Sequence, residues 1–154
     1  MRSGLLGNVQ ALTFDLFGTT VDWRSGVVGE FQRLGTLHGL TADWERASDI
    51  WRSLYVPSMD RVRRGEIPWT NFDDLHRMSL DQVVDQVGVN GFDDATRDEL
   101  TRAWRRLPAW SDVREGLARL GTRLTVATLS NGNREQQQQL VDFAGLPFKD
   151  SALS

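Results

Sequence analysis

Two short, largely apolar segments of this sequence are typical of buried β-strands, and a long helical stretch separates them. Residues 9–17 end at Gly18-Thr19-Thr20, and residues 122–130 end at Asn131-Gly132-Asn133. Apolar strands flanked by helices are typical of a parallel sheet that is covered on both faces. The pattern therefore predicts an α/β fold. Since two strands make too small a sheet for independent stability, we expect the sheet to be partial.

The stretch between the two strands predicts helices only. Residues 22–108 carry apolar side chains at helical spacing, which indicates an all-helical insertion into a core made of residues 1–21 and 109–154. Thr41 is a candidate N-cap within the insertion. Pro57 is expected to end or kink the helix that follows Thr41, because proline cannot continue a helix without losing a hydrogen bond.

Three polar features outside the strands have simple structural interpretations. Asp112 begins a D-x-x-E pattern that is typical of a capped helix. His76, among charged neighbours, is predicted to lie at the surface rather than to act as a base. The glutamine run at 136–139 predicts a solvated helix face.

Composition excludes several classes of function. The absence of cysteine excludes a disulfide scaffold, a Cys-ligated zinc site and a thiol nucleophile, and only two histidines disfavour a multi-His metal site or a Ser-His-Asp triad. A net charge of −3 argues against a nucleic acid partner. No apolar run approaches the ~20 residues of a membrane span, and the N-terminus does not resemble a secretory signal. We therefore expect a cytoplasmic protein.

Polar residues follow both predicted strands. Asp15 lies near the end of the first strand, before the Gly18-Thr19 turn, and Ser130-Asn131 ends the second. Ligands of open α/β sheets bind beyond the carboxyl ends of the strands. A carboxylate beside the N–H groups of a tight turn suits a nucleophile that faces an anionic substrate. Asp15 could equally cap its own turn, and Ser130-Asn131 also fits an ordinary turn that leads into a helix.

These segments resemble motifs of a known family. Asp15-Leu16-Phe17-Gly18-Thr19 resembles the first motif of the haloacid dehalogenase superfamily, and Leu129-Ser130-Asn131-Gly132 resembles the second. The helical insertion is similar to the superfamily's cap domain, which implies a Rossmann-like core. Trp51-Arg52 resembles the segment with the halide-side arginine of 2-haloacid dehalogenases. Phosphatases of the superfamily usually carry a second Asp where this chain has Phe17, and an aromatic residue there is typical of the dehalogenase branch.

The resemblance implies hydrolytic dehalogenation of short 2-haloalkanoic acids to 2-hydroxy acids, through an aspartyl ester and without a metal or other cofactor. Asp15 would be the nucleophile, Thr19 would orient it, and Arg52 would stabilise the departing halide. The substrate's carboxylate is expected to be bound by Ser130, Asn131 and the backbone N–H groups after Asp15, which begin at Leu16. An apolar wall is expected from Phe17, Trp51 and Tyr55. For Trp51 the alternative is helix packing, and for Arg52 it is a solvated helix face.

The resemblance also sets expectations about partners and completeness. The implied partner is a small-molecule 2-haloacid, with neither nucleic acid nor membrane, and family members commonly form homodimers. A third-motif lysine and fourth-motif residues are expected on later strands; Lys149 precedes the next expected strand and is not assigned that role. We therefore expect weak activity from this chain alone. The alternatives are a Mg²⁺-dependent phosphatase or phosphonatase-like hydrolase, and a non-catalytic remnant.

Overall fold

The computed structural model describes residues 7–148, so Lys149 lies outside the described part of the chain. The chain divides into two compact units, residues 1–22 with 108–154 and residues 23–107. The elements are β1 (Ala11–Phe14), α1 (Trp23–Leu37), α2 (Trp44–Ser53), α3 (Tyr55–Arg63), α4 (Phe72–Gln86), α5 (Asp94–Thr101), a 3-10 helix (Arg102–Arg105), α6 (Val113–Leu120), β2 (Thr125–Thr128) and α7 (Arg134–Ala144). The predicted α/β fold with a helical insertion is confirmed.

The first unit contains the sheet. β1 and β2 are parallel, and their register pairs Ala11 with Thr125 and Phe14 with Thr128. One more ladder bond, from the Leu129 N–H to the Phe14 carbonyl at 2.9 Å, carries the pairing just past β2. Both strands are shorter than predicted from the apolar segments. The register brings the carboxyl ends of the two strands to one edge of the sheet.

Helix α7 shows that the prediction for the glutamine run is half wrong. Gln138 and Gln139 are exposed, but Gln136 and Gln137 are only 1% and 0% exposed. Gln137 precedes Leu140, Val141 and Ala144 by three, four and seven positions, and all three are buried. Helical spacing therefore turns Gln137 to the covered side of α7, whatever its polarity.

The second unit is organised around aromatic side chains. Trp51, on α2, is 1% exposed and packs edge-on against Phe31 and Trp104, with ring centroids 5.7 and 5.4 Å away. The prediction of a surface position for His76 is wrong: it is 7% exposed and stacks on Trp104 at 4.7 Å. His76 shares the covered side of α4 with Leu80 and the other buried residues of that helix. No helix within residues 7–148 is long and apolar enough to cross a membrane.

Helix boundaries differ from the sequence expectations at three points. Asp43, rather than Thr41, caps α2 by accepting a hydrogen bond from the Arg46 N–H at 3.0 Å. Asp112 precedes α6 but makes no side-chain capping bond. Helix α2 ends before Pro57, which lies in the first turn of α3, where a missing N–H leaves no intrahelical bond unmade.

Asp43 and Asp112, the aspartates that precede α2 and α6, are expected to affect stability differently. Asp43→Ala is expected to lower the free energy of unfolding by about 1 kcal/mol, because an N–H in the first turn of α2 loses its acceptor. The matched variant Asp112→Ala removes no capping bond. Its effect should stay below about 0.5 kcal/mol, as at most surface positions. Urea unfolding followed by circular dichroism measures both, and equal losses would contradict the assignment of the cap.

Candidate active site

The carboxylate of Asp15 is held by two hydroxyl groups. Asp15 directly follows β1, and Ser130 follows β2 after one intervening residue. The Ser130 hydroxyl donates to Asp15 Oδ1 at 2.7 Å, and the Thr19 hydroxyl donates to Oδ2 at 3.3 Å. Each carboxylate oxygen thus accepts a bond from a different loop. The parallel register makes this possible, because it places both loops at the same edge of the sheet.

The carboxylate is exposed while it is held in this way. Asp15, Thr19 and Asn131 are all exposed, and Ser130 is half-buried. An ionised carboxylate has about four lone-pair positions, so two hydroxyl bonds leave room for a further contact. The family resemblance implies that Ser130 binds the substrate carboxylate; in the structure its hydroxyl donates to Asp15. Asp15 is therefore oriented and open to a small molecule.

The turn after Asp15 is tightly closed. Gly18 has φ of +96°, a conformation that favours glycine, and its N–H donates to the Val21 carbonyl at 3.1 Å. The Leu16 carbonyl accepts from the Thr20 and Val21 N–H groups at 3.0 and 3.2 Å. Leu16 is 0% exposed, backbone and side chain together. Leu16 therefore belongs to the core of the first unit.

Phe17 lies two positions after the carboxylate. Its side chain is half-buried. A phenyl ring can neither donate nor accept a proton, so this position supplies no acid to a leaving group. Within residues 7–148, no group of three or more His, Asp or Glu side chains could hold a metal ion.

Gln137 is a residue at this edge that sequence reasoning missed. Its side-chain Nε2 donates to the carbonyls of Ser130 and Gly132 at 2.8 and 3.1 Å. The available signal was its helical spacing with the apolar residues of α7. The prediction of a solvated face followed the polarity of the glutamine run and did not use that spacing.

Arg52, in the second unit, lies on aromatic rings. Its Cζ is 4.9 Å from the centroid of the Tyr55 ring and 5.6 Å from that of Trp23. By contrast, Arg24 pairs with Asp49 at 2.8 Å, and no carboxylate in the described part of the chain pairs with Arg52. Aromatic faces attract a cation without neutralising its charge. The Arg52 guanidinium can therefore still pair with an anion.

Two further residues of this unit bear on the predictions. The Trp51 indole N–H donates to the His76 carbonyl at 3.0 Å, so the structure places Trp51 in the core of the unit and not on an open wall.

Burial lowers the pKa of His76 to about 4. The negative charge of Asp73 opposes that shift, and the positive charge of Arg52 adds to it. His76 is thus uncharged at neutral pH.

Comparison with solved structures finds L-2-haloacid dehalogenases that are similar to this chain. The chain is 36% identical to a defluorinating L-2-haloacid dehalogenase, with a TM-score of 0.88, and the match covers 94% of this chain and 60% of the other. A second L-2-haloacid dehalogenase is 39% identical, with a TM-score of 0.86, over 94% of this chain and 61% of the other. The L-2-haloacid dehalogenase of Xanthobacter autotrophicus, with chloropropionic acid covalently bound, is 25% identical, with a TM-score of 0.76, over 93% and 56%.

These matches extend over nearly all of this chain, which spans about 60% of the length of the first two structures. No protein-family profile matches the sequence. A search of curated proteins also gave no match.

Proposed function

This chain belongs to the haloacid dehalogenase superfamily, and on that premise we propose that it acts in the hydrolytic dehalogenation of short L-2-haloalkanoic acids. One observation carries the proposal. Asp15 is exposed at the edge of the sheet with both carboxylate oxygens bonded to hydroxyls, and Phe17 occupies the position where an acid would be needed for phosphate chemistry.

The proposed reaction has two steps. One oxygen of Asp15 attacks C2 of the substrate, the carbon–halogen bond breaks, and the halide leaves with the bonding electrons. Water then attacks the carbonyl carbon of the resulting ester, which releases the 2-hydroxy acid and a proton and restores the carboxylate. The neighbour from Xanthobacter autotrophicus, with chloropropionic acid covalently bound, supports an intermediate of this kind.

The residues around the carboxylate suggest how it is prepared. Thr19 and Ser130 fix the two oxygens of Asp15, so that the attacking oxygen is already oriented when the substrate arrives. We assign the substrate carboxylate to Asn131 and to the backbone N–H of Phe17, because Leu16 is fully buried and the Ser130 hydroxyl is engaged with Asp15. The Phe17 ring provides apolar surface beside the reacting atoms.

Arg52 is proposed as the group that stabilises the departing halide. Negative charge develops on the halogen as the carbon–halogen bond breaks, so a cation there stabilises the transition state more than the bound substrate. The contacts of its guanidinium with Tyr55 and Trp23, without a carboxylate partner among residues 7–148, support this role. Tyr55 is proposed to form part of the apolar wall, whereas the burial of Trp51 favours a packing role.

The proposal is tested by incubating the chain with L-2-chloropropionate in the presence of EDTA. Chloride release, 2-hydroxypropanoate and a covalent adduct at Asp15 are expected, with the adduct detected by peptide mass. The adduct is measured under single-turnover conditions, in which one reaction per chain is enough for detection. Hydrolysis of p-nitrophenyl phosphate that depends on Mg²⁺, without chloride release, would instead support the phosphatase alternative. A folded chain that shows neither reaction nor adduct would support a non-catalytic role.

A further inference from the structure

The side chain of Gln137 is buried beneath the loop that carries Ser130. It is 0% exposed, and its Nε2 donates to the carbonyls on both sides of Asn131, that of Ser130 at 2.8 Å and that of Gly132 at 3.1 Å. Both bonds are partly shielded from solvent, so the loss of this donor costs more than the loss of a fully exposed one. Two bonds from one rigidly packed amide therefore fix the loop backbone.

The loop backbone lies directly on the glutamines. Gly132 has φ of +148°, and a Cβ atom there would lie 2.8 Å from Gln136 Oε1 and 3.4 Å from Gln137 Cγ. The glycine thus permits both the backbone conformation and the close approach. The turn thus lies against the glutamine side chains of α7, and the two bonds from Gln137 tie it to that helix.

Residue Ser130 connects this support to the candidate nucleophile. Its carbonyl accepts from Gln137, and its hydroxyl donates to Asp15 Oδ1 at 2.7 Å. The position of the backbone of Ser130 therefore determines where its hydroxyl meets the carboxylate. We propose that Gln137 is a positioning residue that holds Ser130 in place to orient Asp15, an inference that rests on the proposed function of Asp15 as nucleophile.

The test compares matched variants of one helix. Gln137→Met keeps the length of the side chain but removes the donor, and Gln138→Met makes the same change at the next, exposed position. The rate of adduct formation at Asp15 with L-2-chloropropionate should fall about 10-fold in Gln137→Met and remain unchanged in Gln138→Met. Gln137→Asn, whose shorter amide cannot reach both carbonyls, should also slow the reaction and serves if the methionine variant does not fold.

A double-mutant cycle separates positioning from general destabilisation. In a Ser130→Ala background, Gln137→Met should cause little further loss, because the hydroxyl that it positions is already absent. A full additional 10-fold loss in that background, or an unchanged rate in the single variant, would overturn the proposal.

Hydrogen exchange keeps the proposal testable if the parent chain forms no adduct. That result would reject the nucleophilic role of Asp15, but it would leave the support of the loop open to measurement. Gln137→Met should then speed amide exchange in residues 129–132, including the Leu129 N–H that bonds to the Phe14 carbonyl. Equal exchange in Gln137→Met, Gln138→Met and the parent chain would overturn the positioning role as well.

Discussion

Asp15→Asn is expected to abolish halide release from L-2-chloropropionate, with a loss of about 10³-fold or more. The variant replaces a carboxylate with a neutral amide, which is a poor nucleophile toward carbon. The amide keeps the shape of the side chain and can still accept from Ser130 or Thr19, so the fold should be retained. Chloride release and peptide mass at residue 15 measure the effect.

Asp112→Asn is the matched control, because Asp112 belongs to the same unit and makes no side-chain capping bond. It should release chloride at the rate of the parent chain. Persistent chloride release in Asp15→Asn, with mass spectrometry confirming that asparagine remains at residue 15, would contradict the assignment of the nucleophile.

Water labelled with heavy oxygen identifies which carbon is attacked by water. If Asp15 forms an ester that water then hydrolyses at the carbonyl carbon, a single turnover leaves the label in the carboxylate of residue 15. Direct attack of water on C2 would instead place the label in the 2-hydroxy acid at the first turnover. The experiment thus separates covalent catalysis from a role of Asp15 as a general base.

Strand polarity explains why the site could be predicted in outline. Two apolar segments that end in polar residues, joined through helices, predict parallel strands whose carboxyl ends share an edge. That reasoning brings Asp15 and Ser130 together. Strand polarity alone does not give the register of the two strands. The register sets the position of Ser130, and there its hydroxyl donates to the carboxylate of Asp15.

Buried polar residues are where sequence reasoning failed. Gln137 and His76 both lie on the covered sides of their helices, although polarity alone indicated solvent. Their spacing relative to apolar residues carried the correct signal. What the sequence could not supply was the neighbour of each side chain, namely the loop carbonyls that accept from Gln137 and the Trp104 ring that stacks on His76.

The burial of His76 predicts a marked dependence of stability on pH. Burial lowers its pKa from 6.5 to about 4 in the folded chain. Between these values the unfolded chain binds a proton at His76 and the folded chain does not. Stability is therefore complete above the ordinary pKa and falls as the pH decreases toward 4. A shift of this size corresponds to about 3 kcal/mol of unfolding free energy.

His76→Phe isolates this contribution. Phenylalanine preserves the stack on Trp104 and cannot titrate, and the buried Nδ1 of His76 has no hydrogen-bond partner to lose. Urea unfolding at pH 7 and pH 4 should show that the variant loses about 3 kcal/mol less than the parent chain over this range. His38→Gln, at the other histidine of the sequence, is the control for replacing an exposed histidine.

An unchanged dependence in His76→Phe would show that the acid sensitivity comes from carboxylates instead. Their contribution has a different origin: ion pairs lower the pKa of Asp49 and Glu99, and protonation removes those pairs at lower pH. As the pH is lowered, the loss of stability caused by His76 begins at a higher pH, where the pH falls below the ordinary pKa of histidine. Because Arg52 already lowers the pKa of His76, protonating His76 would place two cations near each other. A neutral His76 therefore also preserves the environment in which Arg52 lies on Tyr55 and Trp23.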